Sequence, residues 1–273
     1  LGALAQQPGP SAAVSAPTDA VLPPSTASAI PSAAPEPTPV PAPALDFSLP
    51  APETGAVEDD WFSDAVFLGD SRSDGLRLYS GIRGADFLAY KSLMVFQVTG
   101  TGGVDAKAIP KNGVGDKKTA LAWLEEKQYG KVYVMFGINE LGYGDDQAFQ
   151  DAFALLIDEI RVRQPEAVIY IQSLIPVEPE KAHQMNPAAW LNNENVANYN
   201  EILRRVCADK RAVYVDVQSV MADDSGTLPA ESTTDGIHFT RSWYEKWYGY
   251  LKTHTVDPEA YRAGQGQAEG TEA

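Results

Sequence analysis

The chain has 273 residues, and 37 acidic side chains against 21 Lys and Arg give it a net charge of −16. A strongly acidic chain without a basic stripe is a poor partner for nucleic acid or for anionic membranes. Its single cysteine, Cys207, excludes an internal disulfide framework, and we expect this thiol to be buried on a helix. No apolar run reaches the roughly 18 residues that a membrane-spanning helix needs.

The N-terminal stretch differs in composition from the rest of the chain. Thirteen of the 20 prolines precede residue 53, and the first basic residue is Arg72. A segment rich in Pro, Ala, Ser and Thr cannot bury enough apolar surface to offset its ordering entropy. Ala3-Leu4-Ala5 has the small-x-small form of a signal-peptidase site, which with this stalk-like composition favours a secreted or surface-attached protein. We predict a disordered linker or stalk over 1–57, one folded domain over 58–258 and a flexible tail over 259–273.

From residue 60 onward, short apolar runs alternate with helical periodicity. The runs predict five strands, at 65–68, 86–90, 132–136, 168–171 and 212–217. Helical spacing predicts helices at 74–79, 118–127, 149–160 and 196–206, and a closing helix with an aromatic face at 243–251. The glycine-rich stretch from residue 100 to 115 is expected to be irregular. Strands that alternate with helices are typical of an α/β fold, in which a parallel sheet is covered on both faces.

A serine follows the first predicted strand, and an acid and a histidine follow the fifth. Ser71 ends the run Val-Phe-Leu-Gly-Asp-Ser, and Asp235 precedes His238 by three residues. A serine becomes a nucleophile when an imidazole takes its proton and a carboxylate orients that imidazole. Since parallel strands place their sites at their carboxyl ends, we predict that Ser71 is the nucleophile, His238 the base and Asp235 the orienting acid. The alternative is that Ser71 is only a helix N-cap.

The third strand is followed by Asn139. Its side-chain amide, together with the backbone N–H of Ser71, would stabilise a developing oxyanion. A solvated turn residue is the alternative for Asn139. Glu140 would bind a substrate hydroxyl or face solvent. His183, in a predicted loop, would lie on the surface or line the cleft, and His254 would lie on the surface. Metal-ligand spacing and a dinucleotide-type glycine pattern are both missing from the sequence, so we expect no metal and no cofactor.

Three short motifs, in this order, resemble the first, third and fifth blocks of the SGNH hydrolase superfamily, also called the GDSL-like lipase/acylhydrolase family. They are Gly69-Asp70-Ser71, Gly137-Ile138-Asn139-Glu140 and Asp235-Gly236-Ile237-His238. Arg72 in place of the usual Leu is similar to a bacterial GDSR-type subgroup, and Glu140 replaces the usual Asp. The resemblance covers about residues 62–252. It implies a three-layer α/β/α sandwich of the SGNH/flavodoxin-like kind, a five-stranded parallel sheet and ester hydrolysis without a metal.

The second block of that family has a glycine whose backbone N–H enters the oxyanion hole. Here Tyr90-Lys91-Ser92-Leu93 follows the second strand, so the resemblance implies that Ser92 supplies this donor, with Gly100 as the alternative. We predict a monomeric, extracytoplasmic serine esterase that removes acetyl or other short acyl groups from a small-molecule or carbohydrate ester. An O-acyltransferase that uses the same acyl-enzyme, or a non-catalytic surface binding domain on this fold, are the alternatives.

Overall fold

The computed structural model describes residues 44–266, so the predicted stalk up to residue 43 and the tail from 267 to 273 lie outside the described residues. The strands are β1 (Ala65–Gly69), β2 (Asp86–Ala89), β3 (Ala108–Pro110), β4 (Lys117–Thr119), β5 (Lys131–Met135), β6 (Val168–Gln172) and β7 (Val213–Val215). The helices are α1 (Ser71–Tyr79), α2 (Val95–Thr99), α3 (Ala120–Leu124), α4 (Asp146–Arg163), α5 (Pro179–Met185), α6 (Asn193–Lys210), α7 (Gln218–Met221), α8 (Arg241–Thr253) and α9 (Pro258–Gly266).

The five predicted strands form one parallel sheet in the order β2-β1-β5-β6-β7. From β1 the chain first adds β2 at one edge of the sheet. It then adds β5, β6 and β7 in turn on the other side of β1. Because such crossovers are right-handed, the connecting helices fall on opposite faces. Helices α1, α7 and α8 pack together in one group, and α2, α3, α4 and α6 in another. The three-layer α/β/α architecture is therefore confirmed.

A row of aromatic rings crosses the sheet in register. Phe87, Phe67, Tyr133 and Tyr170 are cross-strand neighbours on β2, β1, β5 and β6. Successive ring centroids are 4.8, 4.7 and 4.4 Å apart, and the planes are nearly parallel. Offset-stacked pairs of this kind add about 0.5–1.5 kcal/mol each to the free energy of burial. The row fixes the register of the four strands whose carboxyl ends carry or flank the site.

Packing extends beyond the expected domain limits of 58 and 258. Residues 44–57 run beside the edge strand β7, where the backbone N–H of Ala51 donates to the carbonyl of Tyr214 at 2.7 Å. Phe47 is buried, and its ring meets Tyr261 of α9 edge-on at 5.6 Å. These contacts cover an otherwise open sheet edge. The packed region therefore includes residues before 58 and after 258, and Pro258–Gly266 form α9 where a flexible tail was expected from residue 259.

Local structure differs from the sequence prediction in the connections. The predicted helix at 118–127 is the end of β4 followed by the single turn of α3, and the loop expected around His183 contains α5. Val95, Phe96 and Val98 are buried on α2, just before the glycine-rich stretch. Cys207 is buried on α6, as predicted. Within residues 44–266, no helix is both long enough and apolar enough to span a bilayer.

Candidate active site

The polar residues predicted from the motifs meet at the carboxyl edge of the sheet. Ser71 follows β1, Ser92 follows β2 and Asn139 follows β5, while His238 arrives on the long loop before α8. These four residues line one cleft of about 420 Å³. The rest of its wall comes from seven side chains: Asp74, Lys91, Ile138, Asn186, Trp190, Leu191 and Ile237.

Ser71 is the first residue of α1, but it does not cap that helix. Asp70 is the N-cap, and its carboxylate accepts the backbone N–H of Arg72 at 2.8 Å. The Ser71 hydroxyl is therefore free of the capping role, and its Oγ lies 2.8 Å from Nε2 of His238. Its position at the helix start also places it at the positive end of the helix dipole.

The loop Asp235–His238 is held by a dense set of local hydrogen bonds. Oδ1 of Asp235 accepts the backbone N–H groups of Ile237 and His238 at 2.8 and 2.7 Å. Oδ2 lies 2.7 Å from Nδ1 of the His238 ring. Gly236 has φ +82°, and a Cβ there would lie 2.2 Å from the backbone nitrogen of Ala182, so only glycine fits this turn. The loop thus delivers carboxylate and imidazole as one unit.

The charge of Asp235 fixes the tautomer of His238. Burial acts to raise the pKa of Asp235, but the hydrogen bonds from the His238 ring and from the two backbone N–H groups outweigh it, so the pKa is lowered. An ionised carboxylate on Nδ1 keeps the proton on that nitrogen. Nε2 is then an acceptor, and it faces the Ser71 hydroxyl. This geometry can draw a proton from the serine.

Two further groups at the cleft can donate to a negative oxygen. The amide nitrogen of Asn139 makes only long contacts inside the protein, at 3.3 Å to the carbonyl of Leu93 and 3.4 Å to Oδ2 of Asp70. Ser92 has φ +57°, the left-handed conformation that favours glycine. Among residues 44–266, its backbone N–H has no acceptor. The turn after β2 therefore leaves this N–H available at the cleft wall.

Other candidate residues lie elsewhere. Gly100 terminates α2, and its N–H donates to the carbonyl of Phe96, so it is already used. His183 is exposed on α5 and lines a neighbouring pocket rather than the Ser71 cleft. His254 stacks on Tyr250 at 3.6 Å, beyond the end of α8. Of the three histidines, His238 alone lines the cleft.

Glu140 differs from both expectations, since it neither faces solvent nor reaches the cleft. Its side chain is fully buried, and Oε1 accepts the backbone N–H of Val95 at the start of α2. Oε2 has no hydrogen-bond partner in the described part of the chain. Burial, reinforced by the Asp70 carboxylate, raises the pKa of Glu140 to about 8, so this carboxyl carries a proton at neutral pH. The sequence identified Glu140 as part of the motif, but it did not predict that the side chain is buried.

Arg72 is a positioning residue that sequence reasoning treated only as a family variation. It is fully buried and stacks on Phe239, 5.2 Å from guanidinium carbon to ring centroid. Its Nε donates to the carbonyl of Ile237 at 2.9 Å, and Nη1 donates to the carbonyl of Ile175 after β6. Arg72 therefore connects α1, the serine helix, to the loop Asp235–His238, the histidine loop, and to the segment after β6. The available signal was a charged residue directly after Ser71, at the position where the family usually has Leu.

The chain shares its fold with several solved structures. Each of the following comparisons gives sequence identity, coverage of this chain and of the other, and TM-score. A candidate platelet activating factor from Streptococcus pneumonia is 21% identical, with 69% of this chain and 82% of the other covered and a TM-score of 0.53. A candidate acylhydrolase from Bacteroides fragilis is 14% identical, with 75% and 88% covered and a TM-score of 0.50. A candidate lipolytic protein of the G-D-S-L family from Desulfitobacterium hafniense is 12% identical, with 70% and 98% covered and a TM-score of 0.50. At these identities the likeness shows the fold alone. No curated protein matches the sequence significantly.

The family model for the GDSL-like lipase/acylhydrolase family matches residues 67–246, well over half of the chain. This match spans the segments that carry Ser71, Asn139 and His238. The chain therefore belongs to the GDSL-like lipase/acylhydrolase family, in the SGNH hydrolase superfamily, and is a carboxylic ester hydrolase.

Proposed function

We propose that the chain is a serine esterase for short acyl esters, with Ser71 as nucleophile, His238 as general base and Asp235 as the acid that orients it. One observation carries this proposal. Ser71 Oγ lies 2.8 Å from His238 Nε2, and His238 Nδ1 lies 2.7 Å from Asp235 Oδ2. Both distances are within hydrogen-bond reach, which is the geometric requirement for an activated nucleophile.

In the first half-reaction, Nε2 of His238 takes the hydroxyl proton as Ser71 Oγ attacks the carbonyl carbon of the ester. The carbonyl oxygen becomes an oxyanion, which would accept from the backbone N–H groups of Ser71 and Ser92 and from the Asn139 amide. Each such donor is worth about 10²–10³ in rate. The imidazolium then protonates the leaving alcohol, the ester C–O bond breaks, and the acyl group stays on Ser71.

In the second half-reaction, His238 removes a proton from water, and the resulting nucleophile attacks the acyl-enzyme. The acid is released when the proton returns from His238 to Ser71 Oγ. Asp235 remains ionised throughout, because its role is to hold Nδ1 and stabilise the imidazolium. Water reaches the site readily, since about 42% of the His238 side chain is exposed.

The size of the cleft favours a short acyl group. About 420 Å³ lies near the lower end of small-molecule sites, which span roughly 300–1,000 Å³. The cleft must hold both the acyl and the alcohol parts of the ester. Four of its eleven lining side chains are apolar, whereas a long alkyl chain would need a continuous apolar channel. An acetyl ester fits these limits best.

The test combines a chain-length series with covalent labelling. The purified protein should hydrolyse 4-nitrophenyl acetate faster than the octanoate, and a fluorophosphonate should modify Ser71, located by mass spectrometry. Ser71→Ala should lower kcat by about 10³-fold or more. Ser242→Ala, an exposed serine on α8, is the matched control and should keep the wild-type rate.

Three results would count against the proposal. Activity that survives in Ser71→Ala would remove the nucleophile assignment. Inertness towards both esters and the fluorophosphonate would favour a non-catalytic binding domain. Faster acyl transfer to an added alcohol than to water, measured as the product ratio, would make the protein an O-acyltransferase that uses the same acyl-enzyme.

A further inference from the structure

A large aromatic side chain lies partly exposed beside the proposed nucleophile. Trp190 is 38% exposed, in the connection between α5 and α6. Among the large apolar side chains that are exposed within residues 44–266, it alone lines the cleft that contains Ser71. Exposed tryptophans in a wet cleft are typical of binding surfaces rather than of core packing.

The Trp190 ring is held in a fixed position. Gly142, two residues after Glu140, has φ +76°, and a Cβ on it would lie 2.4 Å from Cγ of the indole. The ring therefore rests directly on the glycine backbone. The carbonyl of Trp190 accepts the backbone N–H of Asn192 at 3.1 Å and the side-chain amide of Asn195 at 2.8 Å. A platform fixed in this way loses little conformational entropy when a ligand binds to it.

Polar side chains with unused hydrogen-bonding capacity line the same cleft as this platform. Asp74 bonds Arg77 through Oδ1, which leaves Oδ2 without a partner among the described residues. Asn186 accepts the N–H of Ala188 through Oδ1 at 3.2 Å, and its amide nitrogen has no acceptor in the same part of the chain. Lys91 also lines the cleft and is exposed. The wall thus offers a carboxylate oxygen, an amide N–H and an ammonium group.

We propose that Trp190 is a specificity-determining platform for the alcohol part of the ester, and that this alcohol is a pyranose sugar. The inference rests on the proposed function. A pyranose presents C–H groups on one face, which suit the negative face of an indole, and hydroxyls around its edge. Those hydroxyls match the donors and acceptors of Asp74, Asn186 and Lys91. A short acyl group has neither a flat face nor hydroxyls, so the platform is assigned to the alcohol.

The experiment compares two acetyl esters, 4-nitrophenyl acetate and an acetylated methyl xylopyranoside, with acetate release measured for both. In Trp190→Ala, the ratio of kcat/KM for the sugar ester to kcat/KM for the nitrophenyl ester should fall by about tenfold or more, mainly through KM. Trp190→Phe should recover most of the ratio. Gly142→Ala, which displaces the ring without removing it, should lower the ratio as Trp190→Ala does.

Trp243→Ala is the matched control, because Trp243 lies on α8, away from the cleft. It should leave the ratio unchanged. A wild-type enzyme that hydrolyses 4-nitrophenyl acetate but whose ratio does not respond to Trp190→Ala would overturn the platform and leave the esterase intact. A wild-type protein inert towards both esters would instead overturn the proposed function. Equal losses on both esters would make Trp190 a general cleft wall and would also contradict the sugar assignment.

Discussion

Replacing Glu140 by glutamine should change the way in which the stability of the protein depends on pH. The Glu140 carboxyl is fully buried, and burial raises its pKa from the ordinary value of 4.5 to about 8. The folded protein therefore keeps a proton that the unfolded chain releases above about pH 4.5. The stability that Glu140 contributes is fully present below that pH and is lost as the pH rises towards 8.

The size of the effect follows from the two pKa values. Between them, the free energy of unfolding falls by about 1.4 kcal/mol for each pH unit, so the loss from about pH 5 to about pH 7.5 is roughly 3 kcal/mol. Glutamine has nearly the same shape, keeps an oxygen acceptor for the Val95 N–H and has no proton to lose. The difference in free energy of unfolding, Glu140→Gln minus wild type, should therefore grow by about 3 kcal/mol over this range.

Urea denaturation at a series of pH values measures this difference directly. Titrating groups far from Glu140 act in both proteins and cancel in the subtraction. Glu245→Gln, at an exposed site on α8, is the matched control and should differ from wild type by a small amount that stays constant with pH. If the wild-type and Glu140→Gln curves run parallel between pH 5 and 7.5, Glu140 is ionised in the folded protein and the reasoning fails.

Three further substitutions test the roles of neighbouring residues. Asp235→Asn should lower kcat on 4-nitrophenyl acetate by about 10³–10⁴-fold, because the amide cannot hold the required His238 tautomer; a loss confined to KM would contradict this. Arg72→Leu should lower the free energy of unfolding by about 3 kcal/mol in urea, since buried carbonyls lose their donor; unchanged stability would refute it. Ser92→Pro should be about 10²-fold slower than Ser92→Gly, because proline has no N–H and cannot adopt φ +57°; equal rates would exclude Ser92 as a donor.

The sheet and the meeting of the motif residues could be predicted because both depend on local signals. Buried strands are short apolar runs, and each was visible without tertiary information. Ser71 and Asn139 directly follow such runs, so the rule that parallel strands carry sites at their carboxyl ends brings them together. His238 is separated from β7 by a long loop, but its three-residue spacing from Asp235 kept the pair intact. The order of the strands in the sheet then brings His238 into contact with Ser71.

The environment of Glu140 and the packing of residues 44–57 could not be predicted, since distant segments determine them. Glu140 is buried because α2 places the Val95 N–H over its carboxyl, and nothing near Glu140 in the sequence encodes that contact. Residues 44–57 have a stalk-like composition, yet Phe47 finds a partner in Tyr261, more than 200 residues away in sequence. The composition of a segment indicates how much apolar surface it can bury by itself. It does not indicate which distant residues will pack against it.

The buried ionisable residues beneath the cleft have a common effect, which is to join loops from different strands. Asp70 caps the serine helix and contacts Asn139, while Glu140 holds the start of α2, which follows Ser92. Arg72 connects the serine helix to the histidine loop. Burying such groups is unfavourable unless each is paired, so an apolar core would be easier to stabilise. Their hydrogen bonds are directional, however. A nucleophile, a base and oxyanion donors must each be held within about 0.5 Å of the position that the reaction requires. These hydrogen bonds set the relative positions of the loops, which apolar packing alone would leave less well defined.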